Sequence, residues 1–331
     1  MIEGPVPENR EFTDVAFTAG DLAAGSAESK RRKTAETLLN ILEGRIQNPN
    51  TRSAYKVAWR YFFAFCSKYR LELDKVKPYH VGMFLKRHLG GVATQRQHLA
   101  AIRLLFDQLL EQGVVETNPA ARAKPPQLRR ETSHTTVFEE DEIKAFLGAI
   151  KPGCLRDLRD KALFSVLAYS WARVSAVAAL NVEDYFERKG THWFRFQEKR
   201  GKIHEVPVHS KAKQAVDHWI AASRLDPSAP LFPAFTQDKK SFAIDNKTGA
   251  FKRLDRTGIW KLVQARAKAG GLEKKVCCHS FRATGITEYL NAGGTIDVAQ
   301  RIAGHSQLST TQIYDHSKDR VTIAEIERIS F

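Results

Sequence analysis

Residues 303–316 read AGHSQLSTTQIYDH, with His305 and Tyr314 nine residues apart and polar turn chemistry between them. A tyrosine by itself is ordinarily amphipathic core, and a histidine by itself is ordinarily a satisfied polar group. Their meaning depends on what precedes them. In CCHSFRATGITEYL, residues 277–290, His279 and Arg282 stand at i and i+3, which places them on one face of a helix. In YSWARVSAVAALNVEDY, residues 169–185, Arg173 sits at an otherwise apolar helix start. A guanidinium buried there is costly unless something negative awaits it. In THWFRFQEKRGKIHEVPVHS, residues 191–210, apolar and polar residues alternate on both sides of a Lys-Arg-Gly-Lys turn. That pattern predicts a β-hairpin with Lys199 on or beside its turn, in a chain that otherwise reads helical.

Taken together, these segments hold two fork donors, a lysine, two imidazoles and a phenol. They contain no carboxylate pair, no metal-ligand spacing and no Walker A glycine loop. Two arginines can clamp the non-bridging oxygens of a phosphodiester and stabilise the added charge of a pentacovalent transition state. A phenol can attack phosphorus while a histidine takes its proton, and a lysine can protonate the departing oxygen.

The order Arg, Lys, His-x-x-Arg, Gly-His, Tyr resembles the tyrosine recombinase (phage integrase) family. So do the gaps of 23 residues from Arg282 to His305 and of nine from His305 to Tyr314. The resemblance extends over nearly the whole chain. It implies a mainly α fold with a small β-sheet or hairpin in the catalytic domain. The architecture would be a two-domain DNA clamp, with a helical core-binding domain and a tyrosine-recombinase catalytic domain. It implies Arg173, Lys199, His279, Arg282, His305 and Tyr314 as catalytic residues. Tyr314 would be the nucleophile that forms a 3′-phosphotyrosyl link, with His305 helping to hold the phosphate. Lys199 lies eight residues before Pro207 and so matches the family's hairpin lysine, the general acid; Lys202 matches a second basic turn position that touches the DNA backbone. No cofactor is implied. The partners would be double-stranded DNA with paired inverted sites and further copies of the chain, a dimer per site and a tetramer in the synapse. One departure stands out. The family's acidic residue three positions after the first arginine is Ala176 here, which leaves Ser175, Glu183 or Asp184 to compensate.

Length and charge agree with this reading. A chain of 331 residues exceeds a single comfortable core, so two domains are expected. The net charge is +15 and unevenly spread. Residues 1–30 carry two basic and six acidic residues, whereas residues 31–130 carry 19 basic and seven acidic. A surplus of that kind is the footprint of a phosphate-backbone binder. Residues 1–30 read as a mobile lead-in, too short and too acidic for the arm-binding domain of lambda-type integrases. A simple Xer-type or transposon-borne recombinase is the nearer likeness. Residues 31–118 form the core-binding domain. Tyr55, Ala58, Phe62 and Phe65 mark one helix face there, and Leu99, Ile102, Phe106 and Leu109 another, with Thr94 as N-cap and Gly113 as stop. Residues 119–136 form a basic, Pro-rich linker, and residues 137–331 the catalytic domain. A tail, 317–331, carries Ile323, Ile326 and Ile329 at helical steps and could dock in cis or on a neighbouring protomer. DNA-contact candidates are Lys56, Arg60, Arg96, Arg103, Arg122, Lys124, Arg129 and Arg130, with Lys202 in the hairpin. No apolar run approaches the ~20 residues of a membrane span, and no secretory signal opens the chain. Cys66, Cys154, Cys277 and Cys278 make neither a disulfide framework nor a zinc pattern, so a reducing cytoplasm is expected. Two other functions fit part of this pattern: a relaxing enzyme of the type IB topoisomerase kind, and a DNA-binding protein whose site is dispensable.

Overall fold

A computed structural model describes residues 37–38, 40–125, 127, 135–151, 153–198, 201–315 and 327. Lys199, Arg129, Arg130, the lead-in 1–30 and the isoleucine stripe of the tail lie outside the described residues. The chain divides into two compact units, residues 1–129 and 130–331.

The first unit is helical. Helix α1, Pro49–Lys68, starts where the Asn48 side chain accepts from the amides of Asn50 and Thr51, with Pro49 in the first turn. Helix α2 is Pro78–Lys86, and helix α3 is Val92–Glu111. Phe62 of α1 meets Phe84 of α2 and Phe106 of α3 edge to face, at 5.4 and 5.9 Å between centroids. The Trp59 indole N–H donates to the Ala101 carbonyl at 2.8 Å, so the two long helices are joined by polar as well as apolar contact. Tyr55 and Phe65 lie at the edge of this core, and Trp59 and Phe63 are buried within it. Thr94 is not the cap expected of it. The N-cap position is Gly91, three residues earlier, and helix α3 begins at Val92. Its end is as expected: Gly113 takes a left-handed φ of 67° just beyond the last turn.

The second unit opens with α4, Glu140–Gly148. The Glu139 side chain caps the amide of Glu142, and the Glu142 side chain returns the bond to Glu139. Helix α5, Leu155–Ser170, runs through the middle of the unit and buries residues on nearly all sides. After the short α6, Val174–Ala179, come three antiparallel strands: β1, Tyr185–Arg188; β2, Thr191–Gln197; and β3, Ile203–Pro207. They pair in the order β1-β2-β3. Strand β1 was not expected from the sequence. It joins β2 through Lys189 and Gly190, whose φ values of 52° and 76° suit a two-residue hairpin turn. Phe194, Phe196 and Val206 bury the sheet's inner face, and β2 and β3 form the expected hairpin.

Helices α7, Ser210–Ser223, and α8, Arg256–Ala269, flank an irregular excursion joined by isolated bridges such as Phe235 with Phe242. Helix α9, Cys278–Asn291, brings the Phe281 ring against both Phe146 and Phe164, which also touch each other. Helix α10, Ile296–Ala303, and the four-residue α11, Ser309–Gln312, complete the described part. A buried ionic cluster ties α5 to α8 and to the excursion. Arg159 donates twice to Asp160 and once to the Pro233 carbonyl, and Arg266 bridges Asp157 at 2.6 Å and Asp160 at 2.9 Å.

Candidate active site

The site is assembled from the ends of helices. Helix α5 stops at Ser170 because Trp171 adopts a left-handed conformation, φ 53° and ψ 18°. For a residue with a β-carbon this costs about 1–2 kcal/mol, so its surroundings must hold it. They do so through α9. A β-carbon on Gly285 would lie 2.0 Å from Trp171 Nε1, so only glycine leaves room for the indole. One turn further along α9, Tyr289 meets the same ring edge to face at 5.4 Å. Two residues after this wedge, Arg173 is the N-cap residue of α6.

Arg282, on α9, is buried to 2% exposure. It donates from Nη1 to the Trp171 carbonyl and from Nη2 to the Ala303 carbonyl, the latter at 2.6 Å. Its Nε–H has no partner among the described residues. Burial, and then the neighbouring charge of Arg173, push its pKa down to about 10. The sequence reading placed the costly buried guanidinium at Arg173. The structure places it at Arg282 and leaves Arg173 exposed at the helix start, paired with Glu198.

Helix α10 ends on Gly304, φ 63°, and the turn delivers His305 into the interior. His305 Nδ1 lies 2.9 Å from the Thr311 hydroxyl, and its backbone is tied to Gln300 in both directions. Burial, followed by Arg282, Arg173 and His279, pushes its pKa down to about 3, so the imidazole is neutral. Tyr314, just beyond α11, stacks on this ring with 7° between planes. Its hydroxyl lies 2.9 Å from His279 Nε2. Desolvation, then Arg282 and Arg173, lower the His279 pKa as well. The arrangement therefore joins a phenol to a neutral imidazole beside two guanidiniums.

Five of the six expected residues thus converge, and Lys199 is outside the described residues. Lys202 is exposed where its carbonyl accepts from the Glu198 amide. In the first unit, Arg60, Arg96, Arg122 and Lys124 are exposed and Lys56 is half-buried. Arg103 is engaged internally, donating to the carbonyls of Ala120 and Ala123. Residues the sequence did not single out are Glu198, Thr311 and Trp171. Only Gly285, a glycine inside a helical pattern, signals the close approach of another group. Neither Glu183 nor Asp184 compensates for Ala176 by pairing with Arg173. Their side chains bond Asn181 in the turn before β1.

Known proteins are similar to this chain in sequence and in fold. Residues 136–320 match the phage integrase family. The tyrosine recombinase XerC of Leptospira interrogans serogroup Icterohaemorrhagiae serovar copenhageni is 27% identical over 296 residues, 87% of this chain and 90% of that protein. The crystal structure of the XerH site-specific recombinase bound to difH substrate, a pre-cleavage complex, superposes with a TM-score of 0.66 at 16% identity. It covers 93% of this chain and 97% of that one. A lambda integrase tetramer bound to a Holliday junction gives 0.64 at 14% identity, over 88% of this chain and 80% of that one. The chain belongs to the phage integrase family. Its activity is that of a tyrosine-type site-specific DNA recombinase. Among the described residues no helix is long and apolar enough to cross a membrane.

Proposed function

We propose that Tyr314 cleaves DNA by attacking the scissile phosphate, that His279 receives its proton, and that Arg173, Arg282 and His305 hold the phosphate. The observation that carries this reading is the 2.9 Å contact from the Tyr314 hydroxyl to His279 Nε2, within the field of both arginines. With its proton on Nδ1, neutral His279 offers Nε2 as acceptor. The Tyr314 oxygen forms a bond to phosphorus as the bond from phosphorus to the 5′-oxygen breaks. The phenolic proton passes to His279, and Lys199 supplies one to the departing oxygen. Charge developing on the non-bridging oxygens is met by guanidiniums already in place, which need no reorganisation during the reaction. The link conserves the energy of the phosphodiester, so a 5′-hydroxyl from a second duplex can reverse the step and complete an exchange.

The assembly is two protomers on paired inverted sites and four in the synapse, in keeping with a lambda integrase dimer bound to a COC′ core site and a lambda integrase tetramer bound to a Holliday junction. The basic surplus of residues 31–130 supplies backbone contacts through Lys56, Arg60, Arg96, Arg122 and Lys124, with Arg129, Arg130 and Lys202 alongside. The domains run 31–118, 119–136 and 137–331, and the protein works in the cytoplasm. The deciding experiment is a nicked suicide substrate. The parent should give an adduct that resists SDS, and Tyr314→Phe should bind DNA without forming it. An adduct with the phenylalanine variant would assign the nucleophile elsewhere.

A further inference from the structure

Ala176 leaves α6 without the carboxylate that would steady Arg173 from its own first turn. We propose that Glu198, at the end of β2, supplies it instead, as a positioning residue that holds the Arg173 guanidinium in register with Arg282. The proposal rests on the reading of Arg173 as a phosphate ligand.

Glu198 Oε1 lies 2.5 Å from Arg173 Nη1, with 12% of the Glu198 side chain exposed against 42% for Arg173. The carboxylate is therefore the anchored end of the pair and the guanidinium the presented end. The anchor is fixed on two sides. The Glu198 amide donates to the Lys202 carbonyl at 2.7 Å, closing the hairpin behind it. In front, its carboxylate lies over Gly304, where a β-carbon would come within 3.1 Å of Oε1. Nearby, His204 Nε2 lies 2.9 Å from the Ile302 carbonyl, which binds β3 to the same end of α10.

The charge matters as much as the contact. Arg173 lowers the pKa of Arg282 and Glu198 raises it, so the carboxylate offsets repulsion between two guanidiniums in a desolvated site. Without it, Arg173 would be free to swing into solvent, and each exposed rotamer costs entropy to recover on binding. Lys199 is the next residue in the sequence. The ion pair therefore also fixes the point from which the lysine-bearing turn departs. A carboxylate in this place could instead compete with the phosphate for Arg173, and the two roles differ in sign. Removing a support slows cleavage, whereas removing a competitor hastens it.

The test is a double-mutant cycle of Glu198→Gln and Arg173→Ala, read as single-turnover cleavage at saturating DNA. A 5′-bridging phosphorothiolate substrate, whose thiolate leaves irreversibly, lets slow variants accumulate product. Glu198→Gln should cut the rate by about 10–100-fold, the usual scale for a group that orients a ligand-holding residue. In the Arg173→Ala background it should cause no further loss, because the residue it acts through is gone. An unchanged or faster Glu198→Gln rate overturns the proposal. So does a loss that multiplies with that of Arg173→Ala, since Glu198 would then act elsewhere. If the glutamine variant loses its thermal transition, Glu198→Asp takes its place in the cycle. Its carboxylate is one methylene short, so a smaller loss is expected, again absent without Arg173, and a parental rate refutes the role. A parent protein that forms no adduct refutes the reading of the whole site, and this proposal with it.

Discussion

Replacing Gly285 by alanine tests how the two arginines are held. In an ordinary helix interior the change stabilises by about 1 kcal/mol. Here the new methyl would lie 2.0 Å from Trp171 Nε1 and 2.2 Å from Cδ1, far inside van der Waals contact. The indole would have to retreat by more than ~1 Å from a close-packed site where it also touches Tyr289. Overpacking of this kind costs about 1–3 kcal/mol. At the upper value, set against the helix gain, the net loss is about 2 kcal/mol. For a unit of this size that lowers the melting temperature by roughly 4–8 °C. The chemical effect should be larger than the thermal one. Trp171 offers its carbonyl to Arg282 and lies two residues before Arg173, so its displacement moves both guanidiniums. A misplacement of ~1 Å at a reacting centre costs about 10²-fold in rate. Thermal denaturation and single-turnover cleavage of a suicide substrate would measure the two effects on one preparation. A melting temperature that rises, with cleavage unaltered, would show that the indole is not wedged against α9 and that the arginines are set by other means.

Three further outcomes are expected. The pKa of His305, near 3 in the folded chain and ~6.5 when unfolded, means that below pH ~6.5 the unfolded state binds the proton first. Stability present above that pH should therefore fall on acidification, by about 2 kcal/mol at pH 5; urea denaturation of His305→Gln should show a shallower decline, and an identical one would mean the imidazole is solvated. Lys199→Ala should lose about 10²–10⁴ in cleavage of ordinary DNA and recover on a 5′-bridging phosphorothiolate, while Lys202→Ala should show a milder loss that sulfur does not repair. Rescue of the Lys202 variant instead would exchange the two assignments. Asp160→Ala strands the buried Arg159 and should cost about 3–5 kcal/mol by thermal denaturation. A shift below ~0.5 kcal/mol would mean that the cluster carries no net charge interaction.

The site was legible to the extent that its chemistry lies in side chains at fixed sequence spacing. His279 and Arg282 share a helix, and His305 and Tyr314 share one turn-and-helix segment, so each pair could be read locally. What could not be read is supplied by backbone or by distant elements. The Arg282 partners are carbonyls at residues 171 and 303, and every residue carries a carbonyl. Glu198 lies 25 residues from Arg173 and reaches it only once the hairpin has folded onto α10. The apolar pattern located the α1 and α3 faces but missed Trp59, whose indole N–H needed the Ala101 carbonyl before the ring could be buried. Strand β1 escaped because four residues, two of them charged, carry too short a pattern to separate from a loop.

Arg282 has a consequence for genetics. Its two donated bonds reach the exit of α5 and the end of α10, so one guanidinium cross-links three helices. A null phenotype at this codon would therefore report lost architecture and lost chemistry at once. A lysine there could place one ammonium but could not span both carbonyls, so even the mildest replacement loosens the joint. Selection on the catalytic group and selection on the folded chain act on the same atoms, and no route of single substitutions relieves one without the other. At Tyr314 the two are separable, because phenylalanine keeps the ring on His305 and removes the hydroxyl alone.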